Sequence, residues 1–304
     1  MENQLPVNVK GQCGTLPKIG LGTAGLSQEI TAQAVCDALQ NGYNLIDTAL
    51  LYGNQDQVGK GIKMSGVLRR NFLVTTKVGF FPQNSAGVWM YNDNNLKGEE
   101  TRSIDLCLKQ LGLDYVDLLL LHNPCVSAPE YNALVCPFYF ELFNHWGLPD
   151  AIKPKTLPGG EPVRPLIMDS LLRKVREEGI SKEESLKRRK ESWASMEKAY
   201  KEGKAKLIGV SNYPAELLEE MREYATIMPA VNQIEFHPRC WSASTYAKCK
   251  ELGIVIQSFG ILNSWFVQYE KINTAITTIS QRVGCTPIQV LIRWTIQKRG
   301  CSYS

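Results

Sequence analysis

The stretch "IGLGTAGLSQEI", residues 19–30, contains the spacing Gly20-x-Gly22-x-x-Gly25. That spacing belongs to dinucleotide-binding turns, where glycines let the backbone approach a pyrophosphate at a helix N-terminus. An acid, Asp47, follows at roughly the 20-residue separation at which that fingerprint places its ribose ligand. Two folds compete for these residues. In a doubly wound Rossmann sheet the glycines form the nucleotide turn; in a parallel barrel they belong to its first strand. The rest of the chain has to choose between them.

The chain has 304 residues, 44% of them hydrophobic, enough to bury a large core. Lys and Arg total 34 against 30 Asp and Glu, a net charge of +4. That balance is too small and too dispersed to suggest nucleic acid. The most basic run, "LKRRKE" (186–191), follows "REEGISKEES" and reads as a solvated helix face. The start, "MENQLPVNVKG", has neither the basic region nor the apolar core of a secretory signal. No run of 18 apolar residues suggests a membrane span. Nine cysteines, scattered and without a C-x-x-C pair, fit reduced thiols in a cytoplasmic protein better than a disulfide framework or a metal site.

Short apolar runs alternate with helical stretches, as repeated βα units do around a parallel sheet. The strands expected are "PKIGLG" (17–22), "NLIDTA" (44–49), "FLVTTKV" (72–78), "VDLLLLH" (116–122), "KLIGVS" (206–211), "PAVNQIE" (229–235) and "IVIQSFG" (254–260). Helices are expected over 28–41, 54–64, 99–111, 191–202, 214–224, 243–252 and 270–299, the last broken at Pro287. Ser27 and Pro214 signal the starts of two of them. Seven such units without a composition break point to a single α/β domain over 1–304, an eight-fold (β/α)8 TIM barrel. A doubly wound sheet alternates in the same way and stays open on pattern alone.

Residues 126–189 interrupt the rhythm where a short loop is expected. This insertion begins aromatic ("YNALVCPFYFELFNHWG", 131–147), continues rich in Pro and Gly (148–165) and ends charged and helical. Leaving the fourth strand, it would hang over the mouth of a barrel. There it either shapes a substrate pocket or makes an oligomer contact.

Asp47, Tyr52, Lys77 and His122 stand at successive strand ends. Each alone has a plainer reading: a strand-end charge, a common tyrosine, a core histidine. Together they make chemical sense. Adding hydride to a carbonyl leaves an alkoxide that must be protonated, and tyrosine, with an ordinary pKa of about 10, is a poor acid near neutrality. A nearby ammonium is expected to lower that pKa and ready Tyr52 as general acid. Lys77 would supply the cation, Asp47 would hold it by an ion pair, and His122 would orient and polarise the carbonyl.

In these motifs the chain resembles the aldo-keto reductase family. The matching segments are "GYNLIDTALLYGNQDQVG" (42–59), "TTKVG" (75–79), "LLLLHNP" (118–124), "GKAKLIGVSNY" (203–213), "VNQIEFHP" (231–238) and "IVIQSFG" (254–260). They come in the family's order and cover almost the whole chain outside the insertion. The resemblance implies the same four catalytic roles and reduction of an aldehyde or ketone with NADPH, NADH remaining the alternative. It implies cofactor contacts at Gly22, Thr23, Asp47, Ser211, Asn212, Gln233, Phe259 and Leu262, and no metal. Ser211, Asn212 and Gln233 would hold the nicotinamide carboxamide, and Phe259 would stack on the ring where the family more often has Tyr. In this family the first-strand Gly-x-Gly-Thr approaches the nicotinamide without a pyrophosphate turn, so the opening GxGxxG is a coincidence built around Gly22 and Thr23. His237 and His145 read as structural.

The sequence also departs from the family. Asn44 stands where Arg is usual and Gln55 where Glu is usual. After "KRGCSYS" the sequence stops, where the eighth strand should run into a basic, 2′-phosphate-binding motif. The expectation is therefore a barrel lacking its eighth strand and final helix, with exposed edges and reduced stability. Two functions follow. One is a carbonyl reductase acting on a small-molecule substrate, with no nucleic-acid or membrane partner. The other is an inactive truncated form that keeps the tetrad and acts as an interaction module.

Overall fold

The computed structural model describes residues 4–79, 81–83, 88–90, 100–125, 181–238, 241–262, 270–298 and 300–303. An antiparallel hairpin of β1 (Gln4–Val9) and β2 (Gln12–Pro17) leads into β3 (Ile19–Gly22), α1 (Gln28–Gln40), β4 (Leu45–Asp47), α2 (Gln55–Ser65) and β5 (Leu73–Val78). A second hairpin, β6 (Phe81–Gln83) with β7 (Val88–Met90), precedes α3 (Glu100–Leu111) and β8 (Val116–Leu121). The chain continues with α4 (Lys182–Lys201), β9 (Ala205–Ser211), α5 (Ala215–Tyr224), β10 (Val231–Glu235), α6 (Ala243–Leu252) and β11 (Val255–Phe259). Last come α7 (Glu270–Val283), α8 (Pro287–Gln297) and β12 (Gly300–Tyr303).

Eight parallel strands close into a barrel in the order β10-β11-β12-β3-β4-β5-β8-β9. Strands β4, β5, β8, β9 and β10 are buried on both faces, as in β8, where five of the six positions of VDLLLL are buried. Such continuous apolar strands suit a parallel sheet wrapped by helices. The helices turn one stripe inward; in α1 it is Thr31, Ala32, Val35, Cys36 and Leu39. Close packing fixes where α2 lies. A Cβ on Gly61 would stand 2.4 Å from the Ala32 carbonyl oxygen of α1, and one on Gly59 would stand 2.5 Å from that of Leu111 in α3. Pro287 does not merely interrupt a helix. It opens α8 in its first turn, behind a capping box between Thr286 and Gln289.

The structure corrects the expectation of an open barrel. Gly300–Tyr303 forms the eighth strand, pairing Ile256 with Gly300 on one side and Ser302 with Ile19 on the other. The edges of β3 and β11 are therefore paired, and the argument for lost stability falls with them. The sequence ends one residue beyond this strand, at Ser304.

The β1–β2 hairpin was not anticipated. It caps the N-terminal end of the barrel: buried Gln12 donates through Nε2 to the carbonyls of Ile208 (2.9 Å) and Met228 (2.6 Å), and its Oε1 accepts from the Ile208 amide (2.7 Å). Two corrections concern the insertion. Its charged end is already α4, which starts at Lys182 instead of 191, while 126–180, with His145, lies outside the described residues. Nor is "LKRRKE" wholly a solvated face, since Arg189 is only 1% exposed. Among the described residues Cys13, Cys36, Cys107, Cys125, Cys249 and Cys285 are free thiols. Among the described residues no helix is long and apolar enough to cross a membrane.

Two measurements test this packing. In an exposed helix Gly→Ala gains about 0.5–1 kcal/mol. At Gly61 the added methyl meets backbone, so Gly61→Ala is expected to lose about 1–3 kcal/mol in denaturant titration. Deleting residues 300–304 should unpair β3 and β11, lower the melting temperature and promote association seen by light scattering.

Candidate active site

β4 ends at Asp47 and is followed by a single 3₁₀ turn, Leu50–Tyr52, that returns the chain towards the barrel axis. Gly53 closes that turn at φ +67, a left-handed conformation that glycine adopts without strain. Parallel pairing then sets the heights of the neighbours. Thr48 N–H donates to the Thr75 carbonyl (2.9 Å), and His122 N–H donates to the Val78 carbonyl (2.9 Å). Asp47, Tyr52, Lys77 and His122 thus meet at the C-terminal strand ends, the end of a (β/α)8 barrel that carries active sites.

Lys77 is the hub. Its Nζ donates to Asp47 Oδ1 at 2.5 Å, to the Thr48 carbonyl at 2.9 Å and to the Tyr52 hydroxyl at 3.1 Å. All three hydrogens of the ammonium are satisfied, which a fully buried cation requires. The ring of His122 meets the Tyr52 ring edge to face, 5.8 Å between centroids.

Burial dominates the proton equilibria of this cluster. It raises the Tyr52 pKa above its ordinary value, with Lys77 pulling the other way and losing. This corrects the expectation that the ammonium would lower it. Burial likewise raises the Asp47 carboxyl, opposed by the charge and hydrogen bond of Lys77. For Lys77 burial alone would favour the neutral amine, but Asp47 and Tyr52 outweigh it and the pKa rises. His122 is held well below its usual range, first by burial and then by the Lys77 charge, so its ring is neutral at physiological pH.

A second polar group adjoins the first. Asn212 Nδ2 lies within hydrogen-bond distance of the His122 carbonyl (3.0 Å), Asn123 Oδ1 (3.0 Å) and Ser211 Oγ (3.1 Å). Ser211 Oγ donates to the Gln233 carbonyl at 2.8 Å. Asn212 has φ 61, unusual for a residue other than glycine and a strain that clusters at functional positions. Gln233 Nε2 joins the groups, donating to Asp47 Oδ2 (2.8 Å) and Gln257 Oε1 (2.7 Å). One chain of polar contacts therefore runs from Gln257 to Tyr52.

Thr23 reaches this network through its backbone, its N–H donating to the Asp47 carbonyl at 2.9 Å. A Cβ on Gly22 would meet nothing within 4 Å, so open space lies beside that residue. β3 ends at Gly22 and a tight turn follows, with Leu26 N–H on the Thr23 carbonyl (3.3 Å) and Gly25 at φ +77, before α1 begins at Gln28. The closed barrel, not the lack of a turn, excludes the doubly wound sheet. Phe259 ends β11 opposite Glu235, and Leu262 lies two positions beyond Gly260; both are half-buried. Asn44 lies at the other end of β4, where its carbonyl accepts from Leu73 N–H. Gln55 is buried between Gln110 and Thr76, the neighbour of Lys77. His237 pairs with Glu235 at 2.7 Å, both buried.

Sequence reasoning missed Gln257, Asn123 and the Thr48 carbonyl. A glutamine inside the apolar strand IVIQSF was the available signal for Gln257. Among the described residues no group of three or more His, Cys, Asp or Glu side chains is placed to hold a metal ion.

Comparison with known proteins agrees with this geometry. The family model described as "Aldo/keto reductase family" matches residues 18–303. D-galacturonate reductase of Hypocrea jecorina is 34% identical over 287 residues, spanning 93% of this chain and 76% of its own length. Glycerol 2-dehydrogenase (NADP(+)) of Saccharomyces cerevisiae is 32% identical over 285 residues, with coverage of 93% and 76%. Among solved structures, a Bombyx mori aldo-keto reductase in complex with NADP superposes with TM-score 0.67 at 25% identity, covering 99% of this chain and 83% of its own. With its barrel closed and its family model spanning nearly the whole chain, this protein belongs to the aldo/keto reductase family and is an oxidoreductase.

Proposed function

We propose that this chain, as one barrel domain over residues 1–304, reduces an aldehyde or ketone to the alcohol with NADPH as hydride donor. The observation that carries the reading is the Tyr52 hydroxyl, 3.1 Å from the Lys77 ammonium and beside the neutral His122 ring. The residues present also fit a nicotinamide. Asn212 Oδ1 and Thr23 Oγ1 are buried without a hydrogen-bond partner among the described residues, and open space adjoins Gly22. Ser211, Asn212 and Gln233 would hold the carboxamide, with Gly22, Thr23, Phe259 and Leu262 bordering the ring. When bound, the nicotinamide supplies the hydride.

The protein's own groups supply the rest. His122, kept neutral by burial, donates an N–H to the carbonyl oxygen and orients it. Tyr52 hands its proton to that oxygen as charge develops there. Lys77 stabilises the phenolate left behind, and Asp47 keeps the ammonium aimed at it. A raised Tyr52 pKa keeps the donor protonated in the resting site, which suits reduction.

NADPH as the preferred cofactor is supported by the NADP(+) in the name of the yeast relative and the NADP bound in the Bombyx mori structure. The alternative of an inactive interaction module rested on the absent 2′-phosphate-binding motif, and the intact contacts of Lys77 with Asp47 and Tyr52 favour the enzyme over it. The part that 126–189 plays in substrate choice or association falls largely on residues outside those described.

Tyr52→Phe keeps the ring and removes the proton. It is expected to lower kcat for carbonyl reduction by about 10²–10⁴-fold while leaving NADPH quenching of protein fluorescence unchanged. Near wild-type turnover would end the assignment. Titrating NADPH and NADH side by side tests the cofactor preference, and equal affinity would remove it. The pH profile has a sign. Reduction needs protonated Tyr52, so its rate should fall only as pH rises through a value above 10.0, the ordinary tyrosine value, while alcohol oxidation, which needs the phenolate, gains over the same range. Because His122 stays neutral well below its ordinary 6.5, no loss is expected on acidification to pH 6.

A further inference from the structure

Among the described residues the buried Lys and Arg side chains are Lys77 and Arg189. The catalytic reading uses the first and leaves the second unexplained. A buried guanidinium is expensive to desolvate and persists only where each donor finds an acceptor. Arg189 comes from the basic run of α4 and turns into the protein near the exits of β8 and β9.

Its contacts are specific. Nε and Nη2 donate to the two carboxylate oxygens of Glu220, at 2.8 and 2.7 Å. Nη1 donates to the Cys125 carbonyl at 2.7 Å and lies 3.2 Å from Ser185 Oγ on its own helix. The fork therefore joins two segments. Cys125 lies three residues beyond His122 on the chain leaving β8, and Glu220 sits on α5, which begins at Ala215, just after the exit of β9. Those exits carry His122 and Asn212. At their near ends they are already tied, Asn212 to the His122 carbonyl and to Asn123. Further along, Arg189 ties the chain again, to Cys125 three residues past His122 and to Glu220 within α5. The backbone that carries His122 is thus held on either side, at Asn123 and at Cys125.

We infer that Arg189, through its simultaneous bonds to the Cys125 carbonyl and the Glu220 carboxylate, is a positioning residue that sets the place of His122 against Tyr52. It touches neither substrate nor cofactor. Lysine cannot replace it, because a point ammonium lacks the planar fork that engages Glu220 with two nitrogens while a third reaches Cys125. The inference rests on the proposed carbonyl reduction for its kinetic test, so the experiment includes a readout that needs no activity.

The chain contains three histidines, His122, His145 and His237, so ring resonances are few enough to assign by NMR. In folded full-length Arg189→Lys the His122 ring signals are expected to shift and its titration to move up towards the ordinary value, while those of His237 stay in place. With NADPH and a reducible aldehyde, kcat/KM should fall about tenfold to a hundredfold, the scale of an ångström of misplacement. NADPH affinity should change little. The same substitution in a His122→Gln background should cost almost nothing further, because the group it positions is gone. If Arg189→Lys does not fold, Glu220→Gln, which keeps an acceptor oxygen, is expected to shift His122 in the same direction by less. An unmoved His122 ring in the folded variant overturns the proposal, as does an equal kinetic loss with and without His122. A wild-type chain that reduces no carbonyl would refute the functional reading instead, and the His122 resonances would still decide the role of Arg189.

Discussion

The Lys77 ammonium lies 2.5 Å from Asp47 with none of its side chain exposed, and the rest of the mouth is arranged around that pair. Two charges removed from water gain little from each other unless every remaining hydrogen-bonding position is filled. Here the filling groups come from the exit of β4, which supplies the Thr48 carbonyl and Tyr52 hydroxyl to Lys77, and from β10, which supplies the Gln233 amide to Asp47. Removing one partner of such a pair typically costs about 3–5 kcal/mol, because the other charge is stranded. The same low-polarity surroundings keep Tyr52 protonated and His122 neutral. The contacts that stabilise the pair therefore also set the protonation states of Tyr52 and His122.

This dependence makes barrel closure a condition of the site. Gln233 stands on β10, and it reaches Asp47 on β4 across the barrel, not along one strand pair. β12 and β3 lie between β11 and β4 in the sheet order, so the four residues Gly300–Tyr303 set the circumference over which that contact is made. At the opposite end the β1–β2 hairpin satisfies Ile208 and Met228 through Gln12. One end is sealed by backbone hydrogen bonding while the other keeps its polar groups aimed at an opening.

Buried charge recurs at the exits of β8 and β9. Arg189 satisfies its fork with Glu220 and Cys125, much as Lys77 satisfies its three hydrogens. In both cases a cation holds irregular backbone, the part of a barrel that parallel pairing does not constrain. Such segments begin at His122 and Asn212, whose N–H groups make the last ladder bonds, to the Val78 and Gln233 carbonyls; beyond them the backbone is held by side-chain bonds.

Most of the seven anticipated strands could be read because burial on both faces leaves an apolar run, as in VDLLLL, and because a cap or glycine bounds most of the helices. Asp47, Tyr52, Lys77 and His122 were legible as residue types at strand ends, the places that a parallel barrel gathers at one face. What the tertiary structure alone decided has a common cause, which is that it depends on partners remote in sequence. "GCSY" carries no apolar run and is a strand only because β11 and β3 offer backbone on both sides. Arg189 sits in a run of charges that a helix would ordinarily expose, and the acceptors that bury it are 31 and 64 positions away. The Tyr52 pKa rises because desolvation by the surrounding fold outweighs the nearby ammonium, a balance that local sequence does not contain.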